Sequence, residues 1–422
     1  MNAPTARDTR TGVQLLQRLG DRQAGPLGVH LQVADRCNHA CAHCYQIQGQ
    51  KGELTLDQVR AVLDDLATAG VLTLNVSGGE ATLRPDLLDI LRHARARGFA
   101  VRLYTNAFLV DDAMADGIAA AGLLEVHVSV YSAVASEHEA VTRVPGSLAR
   151  TLGGVRALRA RGVRVVLKCP AISLAPDGAR GVETLARELG CAFTVSTELT
   201  AMEDGSLTSR AVLPTPEELL RQGLITAWTP SPVEDSRRPV RLTGNSCGVG
   251  RSGLTVLPDG VVLPCTDTPV PLGNLTRTSL GEMVRTSPEL GLFRELTWSH
   301  VHGCRDCDLL MACQRCHATA LHEGGDYLGP YPGACTRARA RYAAGAGTLE
   351  VLPPAEGCEP GRSVEIGPYR VEAPGVLRPV PDVRTEADEA LAARFPWIRS
   401  PARAPADTLV PLRRRREAEG TS

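Results

Sequence analysis

The sequence predicts an α/β protein: a parallel sheet curled into a partial, TIM-like barrel of (β/α)6 type, followed by a cysteine-rich domain. Three observations predict it. Short apolar runs alternate with longer amphipathic ones from about residue 27 to 230, the signature of strand–helix repeats. Chemistry-bearing residues cluster just behind those apolar runs, where parallel sheets place their sites. Cysteines are concentrated in two groups, one behind the first apolar run and one beyond residue 247.

The strands are expected at Val29–Ala34, Thr73–Ser77, Ala100–Thr105, Glu125–Tyr131, Val163–Cys169 and Ala192–Ser196. Apolar residues at helical spacing predict helices over Thr55–Ala69, Arg84–Arg97, Asp111–Ala121, Leu148–Arg161 and Gly178–Leu189. Around this barrel domain (27–230) stand a lead-in (1–26) and a Pro-rich linker (231–246, entered through Thr229–Pro239). Residues 247–342 show little long-period pattern, as expected where metal replaces an apolar core. The Pro- and Gly-rich tail (343–422) carries weak strand patterns at Val364–Val371 and one helical pattern at Glu386–Phe395, and is expected to be partly ordered.

Composition excludes several functions. A net charge of −1 leaves no polyanion-binding surface, and 4% aromatic residues are too few for a base-stacking platform, so nucleic acid is not an expected partner. No run approaches the roughly 20 apolar residues of a membrane span. The polar start shows no signal peptide, which points to the cytoplasm. In that reducing compartment 13 cysteines are better read as metal ligands than as disulfides. Lys51 and Lys168 are the only lysines, which singles out both.

The first cluster, Cys37-x3-Cys41-x2-Cys44, follows the first strand. Three thiolates suit three irons of a cubane and leave a fourth iron open, the distinction between catalytic and structural metal sites. A zinc ion completed by His39 or His43 is the alternative that the cysteines alone leave open. One strand–helix unit later the second strand ends in Ser77-Gly78-Gly79-Glu80, where glycines permit close backbone approach and an acid can meet an ammonium group. This combination resembles the radical S-adenosylmethionine (SAM) superfamily.

The resemblance implies that Cys37, Cys41 and Cys44 hold a [4Fe-4S] cluster whose open iron is chelated by SAM. It places His43, Ser77, Gly78, Gly79 and Glu80 near the cofactor, with Asn106 (Tyr104-Thr105-Asn106) and Ser129 (Ser129-Val-Tyr131-Ser132), the latter at the ribose. Arg143, in His138-Glu-Ala-Val-Thr-Arg143, would meet the cofactor carboxylate. Lys168, at the end of the fifth strand, is a candidate for a role in the pocket or a snorkelling surface residue.

The second cluster reads Cys247, Gly260-x4-Cys265, Cys304-x2-Cys307-x5-Cys313-x2-Cys316 and Cys335. It resembles the SPASM extension, an auxiliary iron–sulfur cluster domain. A zinc ribbon would separate its two Cys-x2-Cys knuckles by roughly 15–20 residues, far more than here. By the resemblance Cys247, Cys265 and Cys316 hold one auxiliary [4Fe-4S] cluster and Cys304, Cys307, Cys313 and Cys335 the other. The step from Cys313 to Cys316 is one residue shorter than the family's, so the division of these two cysteines stays open. Seven thiolates fall one short of eight; an acid, His317, water, substrate or Cys358 could complete the set.

The activity implied is reductive cleavage of SAM to a 5′-deoxyadenosyl radical and hydrogen abstraction, with net oxidation such as crosslinking of a ribosomally made precursor peptide. A flavodoxin- or ferredoxin-type electron donor is implied. The short lead-in leaves no room for a fused peptide-binding domain, so a separate leader-binding protein, the tail or the barrel mouth would hold the leader. Thr266 follows Cys265 and Asp267 comes one later, which argues against sulfatase maturation and leaves Asp267, with Lys168, as a catalytic candidate. A radical enzyme on a small metabolite or protein side chain, and a non-catalytic electron-transfer protein, are the competing classes; Gly78-Gly79-Glu80 speaks against the last.

Overall fold

The computed structural model describes residues 25–229, 232–307, 309–346, 369–373, 376–379 and 384–399. Six strands alternate with helices: β1 (Gly28–Ala34), α1 (Leu56–Thr68), β2 (Thr73–Gly78), α2 (Leu87–Ala96), β3 (Ala100–Thr105), α3 (Asp112–Ala121) and β4 (Glu125–Ser129). They continue with α4 (Ala135–Thr142), α5 (Ser147–Ala160), β5 (Val165–Pro170), α6 (Gly178–Glu188) and β6 (Ala192–Ser196). Neighbours from β1 to β6 pair in parallel in sequence order.

The local causes are readable. Thr55 caps α1, accepting from the Gln58 amide while the Gln58 side chain returns to Thr55. Val59, Val62, Leu63 and Leu66 then recur on the face that α1 buries against the sheet. Each contributes roughly 1.5–3 kcal/mol of burial. The strands put Leu31, Val33, Leu74, Val76, Val101, Leu103, Val126, Val128 and Leu167 into the same core. Expected strand positions agree with the structure to within two residues at each end. Helix α2 starts later than the expected Arg84. A residue before proline is driven to extended backbone, and Arg84, preceding Pro85, sits at φ −79°, ψ 124°.

The region expected to be an irregular metal-held domain is more regular than that. It contains a β-meander, β7 (Gly253–Val256), β8 (Val261–Leu263) and β9 (Gly273–Asn274). Four helices of seven residues or more follow: α7 (Leu280–Thr286), α8 (Pro288–Glu295), α9 (His317–Gly324) and α10 (Pro332–Gly345). It does not stand apart either: β7 pairs in parallel with β1, Gly28 opposite Gly253, extending the sheet beyond the barrel. The expected linker is also corrected, because Pro232–Thr243 is helical, with Pro232 at its start and Pro239 inside. Proline at the first helical turn needs no amide partner, which is why a Pro-rich stretch can begin a helix.

In the tail, Tyr369–Ala373 and Val376–Pro379 pair as an antiparallel ribbon, and Glu386–Arg394 forms the expected helix. This end is docked: the Tyr327 amide donates to Ile398 O at 2.7 Å, Arg305 forks onto Asp388, and Trp397 packs edge-on against Tyr327. Cys358 and Val364–Pro368 lie outside the described residues. Among the described residues no helix is long and apolar enough to cross a membrane.

Arg84 joins β1 to its surroundings. Its buried guanidinium donates to Val33 O and Leu54 O, both at 2.9 Å, and forks onto Asp86 at 2.7 and 2.8 Å. Arg84→Ala strands two buried carbonyls and a carboxylate, so it should cost about 3–5 kcal/mol, seen as a large fall in thermal midpoint. Arg84→Lys should recover only part of it, because a point charge cannot reproduce the fork.

Candidate active site

The carboxyl ends of β2 to β6 open into a cavity of about 420 Å³ that also touches Cys37, Cys41 and Cys44. Residues on five strands can line one space only if the sheet is concave toward it. The cysteine loop is held there by backbone contact. The amides of Gly79 and Glu80 donate to Ala34 O and Arg36 O at 2.8 Å. A Cβ on Gly79 would lie 2.3 Å from Arg36 O, and one on Gly78 2.5 Å from Ala34 O, with Gly78 at φ +152°. The two glycines therefore permit close approach to the chain's own cysteine loop, and both also line the cavity.

Glu80 is 2% exposed. Its Oε1 accepts from the amide and hydroxyl of Thr82 and from Thr105 Oγ1, and its Oε2 accepts from the Asn106 amide at 2.7 Å. The Asn106 side chain donates in turn to Asn38 on the cysteine loop, at 2.7 Å. The acid expected to meet an ammonium group thus first fastens β2, β3 and the cysteine loop together. It still reaches the cavity wall.

The thiols are buried, which disfavours their charged form. Burial pushes Cys37 to about 12, helped by the charges of Glu80, Cys41 and Cys44. It pushes Cys41 to about 11 with Cys44 adding to it, and it raises Cys44. Buried thiols that oppose one another's ionisation need a cation among them. Next to the thiols, His39 (both ring nitrogens), His43 Nδ1 and Asn38 Nδ2 are buried without a partner. Buried polar atoms are normally satisfied, so these orphans fit a polar ligand in the cavity. Burial holds His43 neutral, with its pKa lowered to about 4, and the ring lies edge-on to Tyr131.

Ser77, Asn106, Ser129 and Lys168 also line the cavity. Arg143 does not: it caps α4 in a left-handed conformation at φ +59° and is exposed, although its charge lowers the pKa of Cys41. Sequence reasoning missed Tyr131 as a site residue; its hydroxyl sits 3.7 Å from Cys41 Sγ. It stands two residues beyond Ser129, and strand periodicity could have found it. It also missed a buried clamp. Lys51 Nζ pairs with Glu203 Oε2 at 2.6 Å and Asp35 Oδ1 at 3.6 Å, while Glu203 Oε2 accepts from the Ile47 amide. The scarcity of lysine was its only signal.

The remaining cysteines separate into two electrostatic groups. Cys304 is raised by burial and then by Cys313, Cys335 and Cys307, and Cys313 is pushed to about 12 by burial, Cys335 and Cys307. Cys265 is pushed to about 12 by burial, Asp267 and Cys316, and Cys316 is raised by burial, Asp267 and Cys247. His317 is engaged elsewhere: Nε2 pairs with Ser246 Oγ at 2.8 Å, Nδ1 lies 2.9 Å from Tyr327 O, and the ring stacks on Tyr327. Asp267 stands one layer behind the cavity wall, against wall residue Thr200. Its amide donates to Cys265 Sγ at 3.3 Å, and burial raises its carboxyl pKa.

Comparison with known proteins agrees with this geometry. Residues 31–174 match the Radical SAM superfamily, and residues 247–308 match the SPASM iron–sulfur cluster-binding domain. A PqqA peptide cyclase of Gluconobacter oxydans is 28% identical over 320 residues, 70% of this chain and 87% of the relative. An AdoMet-dependent heme synthase of Methanosarcina barkeri is 26% identical over 70% of this chain and 92% of its own. In fold, the chain is similar to Streptococcus suis SuiB bound to the precursor peptide SuiA, with TM-score 0.57 and 15% identity over 76% of this chain and 79% of SuiB. The chain thus carries a Radical SAM domain over residues 31–174 and, C-terminal to it, a SPASM iron–sulfur cluster-binding domain over residues 247–308, as expected of a radical SAM enzyme.

Proposed function

We propose that this enzyme modifies a ribosomally made precursor peptide by net oxidation, closing a crosslink. The observation that carries the reading is the shared cavity, in which the cysteine triad and the ends of five strands face one space large enough for a cofactor and a reacting side chain. The relatives support a peptide as the substrate: one is named for cyclising PqqA and a structural neighbour is bound to its precursor peptide. The named heme synthase supports the second reading, a small-molecule substrate.

When bound, the cluster and SAM supply a 5′-deoxyadenosyl radical that removes a hydrogen atom from an unactivated carbon. The chain's part is to hold and orient. Cys37, Cys41 and Cys44 hold the cluster. His43, Ser77, Asn106 and Ser129 line the cofactor, and Gly78, Gly79 and Glu80 fix the loop that carries the cluster. Arg143 lies near enough to Cys41 to meet the cofactor carboxylate by a side-chain rotation. Cys304, Cys307, Cys313 and Cys335 hold one auxiliary cluster. Cys247, Cys265 and Cys316 hold the other, with Asp267 rather than His317 placed to complete it. The clusters held by these two sets of cysteines would supply an acceptor for the electron that net oxidation leaves on the substrate. An external flavodoxin- or ferredoxin-type protein would supply the reducing electron, and a separate protein, the tail or the barrel mouth would hold the leader.

The test is anaerobic reconstitution, dithionite reduction and chromatography of 5′-deoxyadenosine, with mass spectrometry of a co-expressed precursor. The peptide should become lighter by two hydrogen atoms per crosslink; an unchanged peptide alongside a modified small molecule would favour the second reading. Cys41→Ala should reduce deoxyadenosine to background, and normal cleavage by that variant would remove the site assignment. Cys307→Ala should retain cofactor cleavage and lose peptide product. Glu80→Ala removes the acceptor for two backbone amides and two hydroxyls. It should lower stability by about 3 kcal/mol and reduce iron retention together, measured by thermal melting and iron analysis.

A further inference from the structure

Every second residue of a strand faces the barrel interior. Such positions are ordinarily filled with branched apolar side chains. Here the concave face carries His30, Ser77, Tyr104, His127, Ser129 and Lys168. Ser77 Oγ lies 2.7 Å from His30 Nε2, the ring of Tyr104 stacks on His127 at 4.7 Å, and Lys168 Nζ rests 4.6 Å from the centre of the Tyr104 ring. Ser129 and Lys168 are cross-strand partners on β4 and β5.

Lys168 is the wall residue whose charge is unmatched. The other charged residues lining the cavity are occupied: Glu80 accepts four hydrogen bonds, and Glu198 pairs with Arg337 and Arg210. Among the described residues no carboxylate lies within ion-pair distance of Lys168, whereas Lys51 has two. A half-buried ammonium is costly without a counter-charge, and an aromatic face compensates it only in part.

It stands on β5, whereas the cysteines stand on the loop that follows β1. Neither Arg143 nor Lys51 lines the cavity, so among the described lining residues Lys168 is its cationic point.

We propose that Lys168 is the substrate-recognition point of the cavity and receives a peptide carboxylate, from a glutamate or aspartate side chain or from a C-terminus. This rests on the peptide reading above. The ion pair positions the substrate over Tyr104 and distinguishes an acid from its amide, because the amide leaves the ammonium unpaired.

The chain's two lysines make this directly observable. Protein grown on 13C-labelled lysine shows two lysine side-chain environments by NMR; Lys51, in its ion pair, is the internal control, and Lys168→Met assigns the other. With saturating SAM, three probes are titrated: acetyl-Ala-Glu-Ala-amide, acetyl-Ala-Gln-Ala-amide, and acetyl-Ala-Ala-Ala with a free C-terminus. The Glu probe or the free C-terminus should move the Lys168 signal, identifying which carboxylate source fits, while the Gln probe leaves it in place. The carboxylate probe should bind about fivefold more tightly than the Gln probe, a preference lost in Lys168→Met. If SAM alone moves Lys168 to its final position, the carboxylate is the cofactor's and the proposal falls. It falls equally if no carboxylate probe moves the signal, or if Glu and Gln act alike. The electron paramagnetic resonance spectrum of the reduced first cluster, with and without SAM, keeps the two claims apart. A SAM-responsive cluster with an unmoved Lys168 sinks the recognition role alone; a cluster indifferent to SAM sinks the functional reading itself.

Discussion

The site depends on a backbone contact. Gly78 and Gly79 lie against Ala34, Arg36 and Cys37 at distances that no side chain would tolerate, and the amides of Gly79 and Glu80 bond the carbonyls of Ala34 and Arg36 across that contact. This places the start of the cysteine loop relative to β2. Glu80 carries the placement to β3 through Thr105 and Asn106, and Asn106 returns it to Asn38. Three cysteines on a flexible loop would hold a cluster anywhere. Three cysteines on a loop bonded to two strand ends hold it at one position over the barrel, which radical chemistry requires of a reacting centre.

Charge is organised around the same loop. Burial makes lone thiolates unfavourable at Cys37, Cys41 and Cys44, so the protein gains from a cation-rich cluster what it loses in hydration. The loop's return path is secured by Lys51, buried between Glu203 and Asp35. A buried ion pair is weak evidence for net stability but strong evidence for a fixed geometry, since breaking one partner strands the others. Glu203 belongs to the segment after β6 and Asp35 to the segment after β1. Through Lys51 the first and last strands of the barrel are tied at the cavity mouth.

Much of this was legible in the sequence. Strand positions were, because strands that bury one face show apolar residues at every second position, such as Val126 and Val128. The cysteine spacing and Gly78-Gly79-Glu80 were, because chain geometry near a metal leaves few alternatives. What escaped detection was set by tertiary context. Helix Pro232–Thr243 hid behind proline counts. The structural contacts of Gly79 and Glu80 were not foreseen, because their partners, Arg36 and Thr105, are distant in sequence. Arg143 carries its motif yet does not line the cavity, while Lys168, without a motif, does. The short step between Cys313 and Cys316 became interpretable only when folding separated them, Cys313 toward Cys335 and Cys316 toward Cys265 and Cys247.

The pairing of β7 with β1 gives the two cysteine regions a common reference. β1 leads directly into Cys37; β7 leads through the β8 hairpin into Cys265. The separation of the first thiol triad from the second group is therefore set by a main-chain ladder, which is stiffer than an interface of side chains between domains. Electron movement between two centres falls steeply with distance, so a rigid spacing is worth more here than a large contact area. Asp267 lies between the two in effect only through its charge, which after burial raises the pKa of both Tyr45 and Cys265, and its amide donates to Cys265 Sγ. An auxiliary domain hung on a flexible linker would let that spacing drift. One continued from the barrel's own first strand cannot move without breaking the sheet.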